Sequence, residues 1–362
     1  MNRLQLRKRL LERFVMSRNG WADAPRSGVK PGPRPRAPVF AAIDLGTNNC
    51  RLLMATQNND GTLRVVDGYS RIVRLGEGLS HTGKLSEAGM ARAYQALAAC
   101  AQRIEARSPI AVGCVATQAC RAASNGQVFL NRVQKDLGLQ FQIITPEDEA
   151  RLAVLGCASL LEPEAEYAMI VDIGGGSTEL SWVKPKEALA GGLRPAIIDW
   201  RSAPVGVVVL ADEENEPESD NAAWYEALVS RIAGQIDAIG GGDGLRDAFR
   251  NGRGDIIGTS GTVTSLAGVF LDLSRYQRAR VDGMWFDVAD CRATIAKLLA
   301  QTRAERAANP CIGKDRADLV VIGGAILDAV LRVWPTTRVR VADRGLREGV
   351  LLRLMAEHKV AS

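Results

Sequence analysis

The chain of 362 residues contains only two histidines, His81 and His358. That shortage argues against chemistry built on imidazole: a Ser-His-Asp triad, a His-ligated zinc or a phosphohistidine intermediate. Acid–base work then falls to carboxylates. The seven cysteines, Cys50, Cys100, Cys114, Cys120, Cys157, Cys291 and Cys311, form no C-x-x-C pair, and most sit in apolar runs. No disulfide framework or thiolate metal site is expected, and a reducing compartment, the cytoplasm, fits best. There is no run of about 18 apolar residues to span a membrane and no sufficiently long secretory apolar segment. With 46% hydrophobic and 24% charged residues the composition is that of a soluble globular chain.

The net charge of +5 suggests a polyanion partner until it is divided along the chain: residues 1–37 carry +8, from ten Arg or Lys against two acids, leaving −3 for the remainder. The basicity belongs to an extension, and no nucleic-acid partner is expected. In that extension Leu4, Leu10, Leu11, Phe14 and Val15 share one helical face, and the chain then runs into the linker SGVKPGPRPRAP. Such a linker cannot pack a core, so 1–37 reads as a basic, disordered extension. A polyanion-grasping arm, a membrane-surface helix and a transit peptide are the other readings of the segment.

Beyond residue 37 the length suits two domains better than one core. Pro38–Leu45 reads as an apolar strand, with Arg51–Gln57 and Thr62–Arg74 as antiparallel followers. Ser86–Arg107 reads as a helix capped by Ser86, with Met90, Tyr94, Leu97, Cys100 and Ile104 along one stripe. Strand Ile110–Ala116, helix Gln127–Leu137, strand Phe141–Ile144 and helix Glu147–Leu160 follow. After a break at 162–166 the strand Met169–Ile173 starts the pattern again.

The restart is visible residue by residue. AIDLGTNNCRLLM and IVDIGGGSTELSW place Asp44, Gly46 and Leu52 at the same offsets as Asp172, Gly174 and Leu180. A duplicated fold is the simplest account, with half-domains over 38–152 and 153–362. A tight turn of small residues exposes successive backbone amides, which suits phosphate: Gly46, Thr47, Asn48 and Asn49 in the first copy, Gly174, Gly175, Gly176, Ser177 and Thr178 in the second. One D-x-G alone is an ordinary hairpin turn; two copies in register favour a site. The carboxylate ending each first strand could then hold Mg²⁺. A third glycine turn, IIGTSGTVTSLAG, opens a helix near Thr262, where Gly258, Ser260, Gly261 and Thr262 can present amides to a further phosphate.

Taken in order, AAIDLGTNNCRLLM, ATQACRAASNG, ITPEDEARL, VDIGGGSTELS, GTSGTVTSLAG, DRADLVVIGGAIL and DRGLREGVL resemble the Ppx/GppA group of exopolyphosphatases and guanosine pentaphosphate phosphatases. The resemblance covers about Val39 to Leu354. It implies an α/β fold of two duplicated ribonuclease H-like domains with a central cleft, as in actin, sugar kinases and Hsp70. It implies hydrolysis of the terminal phosphoanhydride of inorganic polyphosphate, or alternatively of guanosine pentaphosphate. By position it makes Glu149 the base that activates water. It makes Asp172 and Glu179, supported by Asp44, the carboxylates for Mg²⁺ or Mn²⁺, and Arg121 and Arg316 the phosphate contacts. Crowding by Glu147 and Asp148 would raise the Glu149 pKa toward the range of a base. Hard oxygen ligands disfavour zinc.

Two departures stand out. Cys50 and Arg51 replace a Phe-His found after the first loop in many relatives, and the chain stops soon after GLREG, where longer relatives add a helical HD-like domain. It is therefore expected to be a short form with a weaker grip on long chains unless the basic extension or a second copy in a homodimer adds positive surface. The acidic run ADEENEPESD reads as a solvated loop. Of the other classes, a kinase of the same superfamily would need an adenosine pocket and a sugar-binding insertion, and neither has a sequence feature. An idle polyphosphate or alarmone sensor would not need Glu149, Asp172 and Glu179 together.

Overall fold

A computed structural model describes residues 37–217 and 221–361. The expected helix at 4–15 and its linker lie outside the described residues. Residues 38–362 form one compact unit.

The first sheet contains β1 (Phe40–Leu45), β2 (Asn49–Gln57), β3 (Leu63–Ile72), β4 (Ala111–Ala116) and β5 (Phe141–Ile143) in the order β3-β2-β1-β4-β5. The second contains β6 (Tyr167–Ile173), β7 (Thr178–Val183), β8 (Asp199–Ala203), β9 (Gly254–Thr259), β10 (Trp285–Asp287) and β11 (Arg338–Ala342) in the order β10-β11-β9-β6-β7-β8. Without the edge strand β10 the two orders match strand for strand. In each, an antiparallel three-strand meander joins parallel neighbours, β1 with β4 and β5, β6 with β9 and β11. The duplicated α/β fold read from the sequence is present.

The apolar run FAAIDL follows from burial on both faces. Ala41, Ile43 and Leu45 enter one core cluster, with helices α1 (Glu87–Arg107) and α3 (Gly126–Leu137), while Phe40 and Ala42 enter another. That second cluster is built with Leu346, Val350, Leu351 and Met355 of the C-terminal helix α10 (Leu346–Ala361). The last helix thus returns to the first sheet, across the 152/153 division expected from sequence. It lies against α4 (Pro146–Cys157), and the seam is set by glycines: a Cβ on Gly349 would come 2.1 Å from the Leu152 carbonyl oxygen, and one on Gly156 1.9 Å from that of Gly345.

The second sheet covers a larger core in which Trp334 packs on Trp182 and Phe249, ring centroids 5.0 and 5.4 Å apart. Gly242, at φ +56°, closes over these rings where any Cβ would lie 2.8 Å from both tryptophans. The acidic run is less free than its composition suggests: Glu214 pairs with Arg231, and Glu216 pairs with the buried Arg306.

Candidate active site

Every parallel strand delivers a loop to one place. In sheets of this kind the carboxyl ends of parallel strands and the amino ends of the following helices converge at a crevice. Here the residues just after β1, β4, β5, β6, β9 and β11 do so. The helices involved include α2 (Gln118–Ala122), α4, α7 (Ser260–Phe270) and α10, and their ends line a cleft of about 710 Å³.

The two hairpin turns are built alike. Gly46 N–H donates to the Asn49 carbonyl at 2.8 Å, and Gly174 N–H to that of Ser177 at 2.9 Å. Across β1 and β2 Asp44 stands opposite Arg51, whereas across β6 and β7 Asp172 stands opposite Glu179. Asp44, Gly46, Thr47, Asn48, Asn49, Asp172, Gly174, Gly175, Gly176, Ser177 and Glu179 all line the cleft. The Oδ1 atoms of Asn48 and Asn49 are buried without a hydrogen-bond partner. A buried polar oxygen left unmatched costs about 1–3 kcal/mol, which a bound cation, water or ligand donor would relieve.

The third turn contributes Ser260, Gly261 and Thr262 to the cleft. The helix begins at Ser260 rather than near Thr262, and Ser260 holds a left-handed backbone at φ +98°, a conformation that favours glycine. Strain of this kind clusters at ligand sites. Three of the expected phosphate contacts are not on the cleft lining: Thr178, Gly258 and Arg121. Thr178 is fully buried and its hydroxyl donates to the Val205 carbonyl at 2.6 Å, because the pleat turns it away from the neighbouring Glu179. Gly258 lies inside β9, where a Cβ would crowd Val263 and Val339 at 3.1–3.2 Å; it is a packing glycine.

Glu149 reaches the cleft from the first turn of α4, which Thr145 caps by accepting the Asp148 N–H at 3.1 Å. Its carboxyl is pushed well above the usual range by burial, then by the Glu179 charge, with smaller contributions from Asp172 and Asp44; Arg121 opposes the shift. The crowding expected from Glu147 and Asp148 is not what raises it: Glu147 is half-exposed and paired with Arg151 at 2.8 Å, and Asp148 accepts from Thr145. Arg121 is not on the cleft lining. Its Nη1 donates to the Ile144 carbonyl at 2.7 Å and lies 3.4 Å from Glu149, so it holds the carboxylate.

Asp172 is raised to about 7 by burial and the Glu179 charge, against the pull of Arg51. Glu179 is raised by burial, and hydrogen bonds from Ser177 and Ser202 oppose this. Asp44 is raised by burial and lowered by Arg51 and Arg347. Among the described residues no three Asp, Glu, His or Cys side chains are grouped to enclose a metal by themselves. Mg²⁺ needs no such cage, since it is held by one or two carboxylates together with waters and substrate oxygens. The carboxylate oxygens and the orphaned Asn48 and Asn49 oxygens fit a hard cation of that kind.

Arg316 lines the cleft, is lowered by burial and by Arg51, and donates to Ser265 Oγ at 3.2 Å. A Cβ on Gly261 would sit 3.4 Å from Arg51 and 3.6 Å from Arg316, so guanidinium groups from both halves meet at the third turn. Arg51, Arg347 and Gln118 also line the cleft and were not among the expected contacts. Arg51 could have been found from the duplication, as the residue occupying the Glu179 offset.

The Ppx/GppA phosphatase family model matches residues 54–358, which include the second and third turns and Glu149. The chain belongs to that family. A putative exopolyphosphatase of Haemophilus influenzae is 27% identical over 339 residues, covering 92% of this chain and 96% of the relative. Exopolyphosphatase 2 of Mycobacterium tuberculosis is 28% identical over 330 residues, covering 87% and 98%. Among solved structures, an Aquifex aeolicus Ppx/GppA family member superposes with a TM-score of 0.68 at 27% identity over 89% of this chain and 98% of its own. An exopolyphosphatase from Cytophaga hutchinsonii gives 0.75 at 25% identity over 88% and 98%. The assignment makes the chain a member of a phosphatase family, and the fold is the duplicated α/β architecture of its solved members.

Proposed function

We propose that this protein is an exopolyphosphatase that hydrolyses the terminal phosphoanhydride of inorganic polyphosphate and releases phosphate. The observation that carries the reading is the meeting of three amide-rich turns with the half-buried carboxylate Glu149 in a single cleft. The amides at 46–49, 174–177 and 260–262, with Arg51 and Arg316, hold phosphate oxygens. Glu149, raised by burial and held by Arg121, takes a proton from the attacking water. Asp172 and Glu179, with Asp44 beside them, would hold Mg²⁺ or Mn²⁺, which when bound supplies positive charge to the phosphoryl oxygens. The oxygen of water joins the terminal phosphorus, and the bridging oxygen leaves with the shortened chain.

Guanosine pentaphosphate is the second reading. Pro310, Ile312 and Leu319 line the cleft beside Arg316 and provide an apolar surface that a base could cover. Phosphate release from long polyphosphate, short polyphosphate and guanosine pentaphosphate, measured side by side with and without Mg²⁺, tests both. Polyphosphate is expected to give the highest kcat/KM. A higher value for the nucleotide would replace the first reading with the second, and no release from any of them would end both.

A further inference from the structure

We infer that Arg74 is a positioning residue for the reaction: it ties the first phosphate turn in one half to the Arg316 segment of the other, and so sets the gap in which phosphate is gripped. The inference rests on the phosphoanhydride reading above. Arg74 follows β3 and is not on the cleft lining, so it acts through its neighbours.

Its backbone belongs to the first turn. Val73 and Arg74 N–H donate to the Asn48 carbonyl at 2.8 and 3.0 Å, and Gly76 N–H to that of Thr47 at 3.0 Å. Arg74 holds a left-handed backbone at φ +43°. A residue with a long side chain keeps that conformation only where its surroundings impose it. Arg92 does so from behind, its Nε donating to the Val73 carbonyl at 2.8 Å and its Nη2 to that of Arg74 at 3.1 Å.

Its side chain belongs to the other half. Nη2 lies 2.7 Å from both carboxylate oxygens of Asp318 and donates to the Asp315 carbonyl at 3.1 Å, so its partners bracket Arg316. Arg303 holds Asp318 as well, at 3.1 Å. The side chains of Arg74 and Asp318 are only 26% and 16% exposed, and the pair is screened less than a surface ion pair. The Arg316 carbonyl accepts the N–H groups of Leu319 and Val320 at 3.0 Å where helix α9 (Val320–Val333) begins, so Arg316 and Asp318 move as one piece. A separate tie, Gly78 N–H to Asp212 Oδ2 at 2.8 Å, keeps the halves in register when the Arg74 bridge is cut.

The bridge opposes a repulsion inside the cleft. Arg51 from the first half and Arg316 from the second both approach Gly261. Burial, and then the Arg51 charge, disfavour the Arg316 cation. Like charges in a water-poor cleft push the halves apart. Arg74 with Asp318 holds the two cations at a spacing that an entering phosphate then neutralises, and cations already gathered bind an anion more tightly than cations that must be brought together. Once phosphate is in place it draws Arg51 and Arg316 together itself, so the bridge acts on affinity more than on turnover.

Arg74→Gln, Arg316→Gln and the double variant are compared by the Kd for a fluorescently labelled short polyphosphate and by kcat and KM for phosphate release. Arg74→Gln is expected to raise Kd and KM at least about tenfold, with kcat within about twofold of the wild type. Arg74→Lys, which restores a charge facing Asp318, recovers most of that loss. In the Arg316→Gln background the Arg74→Gln change weakens binding by less than about twofold, because the residue through which it acts is gone. Should Arg74→Gln fail to fold by circular dichroism, Asp318→Asn cuts the same bridge and carries the same expectations. An unchanged Kd in a folded bridge variant would overturn the inference, as would effects that multiply in full or a loss confined to kcat. If the wild type binds polyphosphate but releases no phosphate, it is the hydrolase reading that fails, and the Kd comparison still decides the role of Arg74.

Discussion

At the scale of single residues, the site depends on how much charge is held out of water. Glu149 has three acidic neighbours and one compensating cation, Arg121. Removing that cation takes away the influence that favours the ionised form, so the Glu149 pKa rises further. Arg121→Gln is therefore expected to move the acidic limb of the kcat–pH profile to higher pH, with activity recovered above it; an unshifted limb would show that Arg121 does not govern the base. The hairpin aspartates and most of the small turn residues, picked out by the offsets of the duplication, and Glu149, picked out by the family resemblance, all line the one cleft. The sequence did not distinguish Thr178 from Ser177. Ser177 closes the turn while Thr178 opens β7, and the buried Val205 carbonyl that takes the Thr178 hydroxyl lies 27 residues away. Gly258 was misread for a related reason: packing against Val263 and Val339 and phosphate approach both select glycine.

At the scale of elements, the duplicated hairpins were legible because strand, turn and strand are local and repeat in register. The return of α10 to the first sheet was not. An apolar helix face shows that it will be buried, not against which sheet. The seam it makes with α4 gives a specific expectation. Gly349→Ala places a methyl group 2.1 Å from the Leu152 carbonyl oxygen, so the two helices must part. Denaturant unfolding should show a loss of about 1–3 kcal/mol, as for overpacking elsewhere. Because α4 carries Glu149, kcat should fall as well. A variant as stable and as active as the wild type would mean that the helices have slack at this contact.

At the scale of the whole molecule, four carboxylates drawn largely out of water around one cleft link stability to pH and cation. Asp44, Glu149, Asp172 and Glu179 are all raised, Asp172 to about 7. The unfolded chain loses these protons near pH 4, while the fold retains the Asp172 proton until about pH 7. Over that window the folded state binds more protons, so stability falls as pH rises. Thermal unfolding in a chelator is expected to show a midpoint that declines from about pH 4 to about pH 7, and Mg²⁺ should restore it most at the upper end. A midpoint that rises across the window without metal would contradict the assigned burial. The duplicated plan and the cleft were readable from sequence, whereas the contacts that close the halves on each other, such as Arg74 with Asp318, join residues more than 240 positions apart and leave no local trace.

The central claim is that Glu149 activates water on a terminal phosphate held by the three turns, and single-turnover phosphate release by Glu149→Gln with a short labelled polyphosphate tests it most directly. Binding, followed by fluorescence anisotropy, should match the wild type, while the rate of release falls by at least about 10²-fold. Release at the wild-type rate would contradict the account.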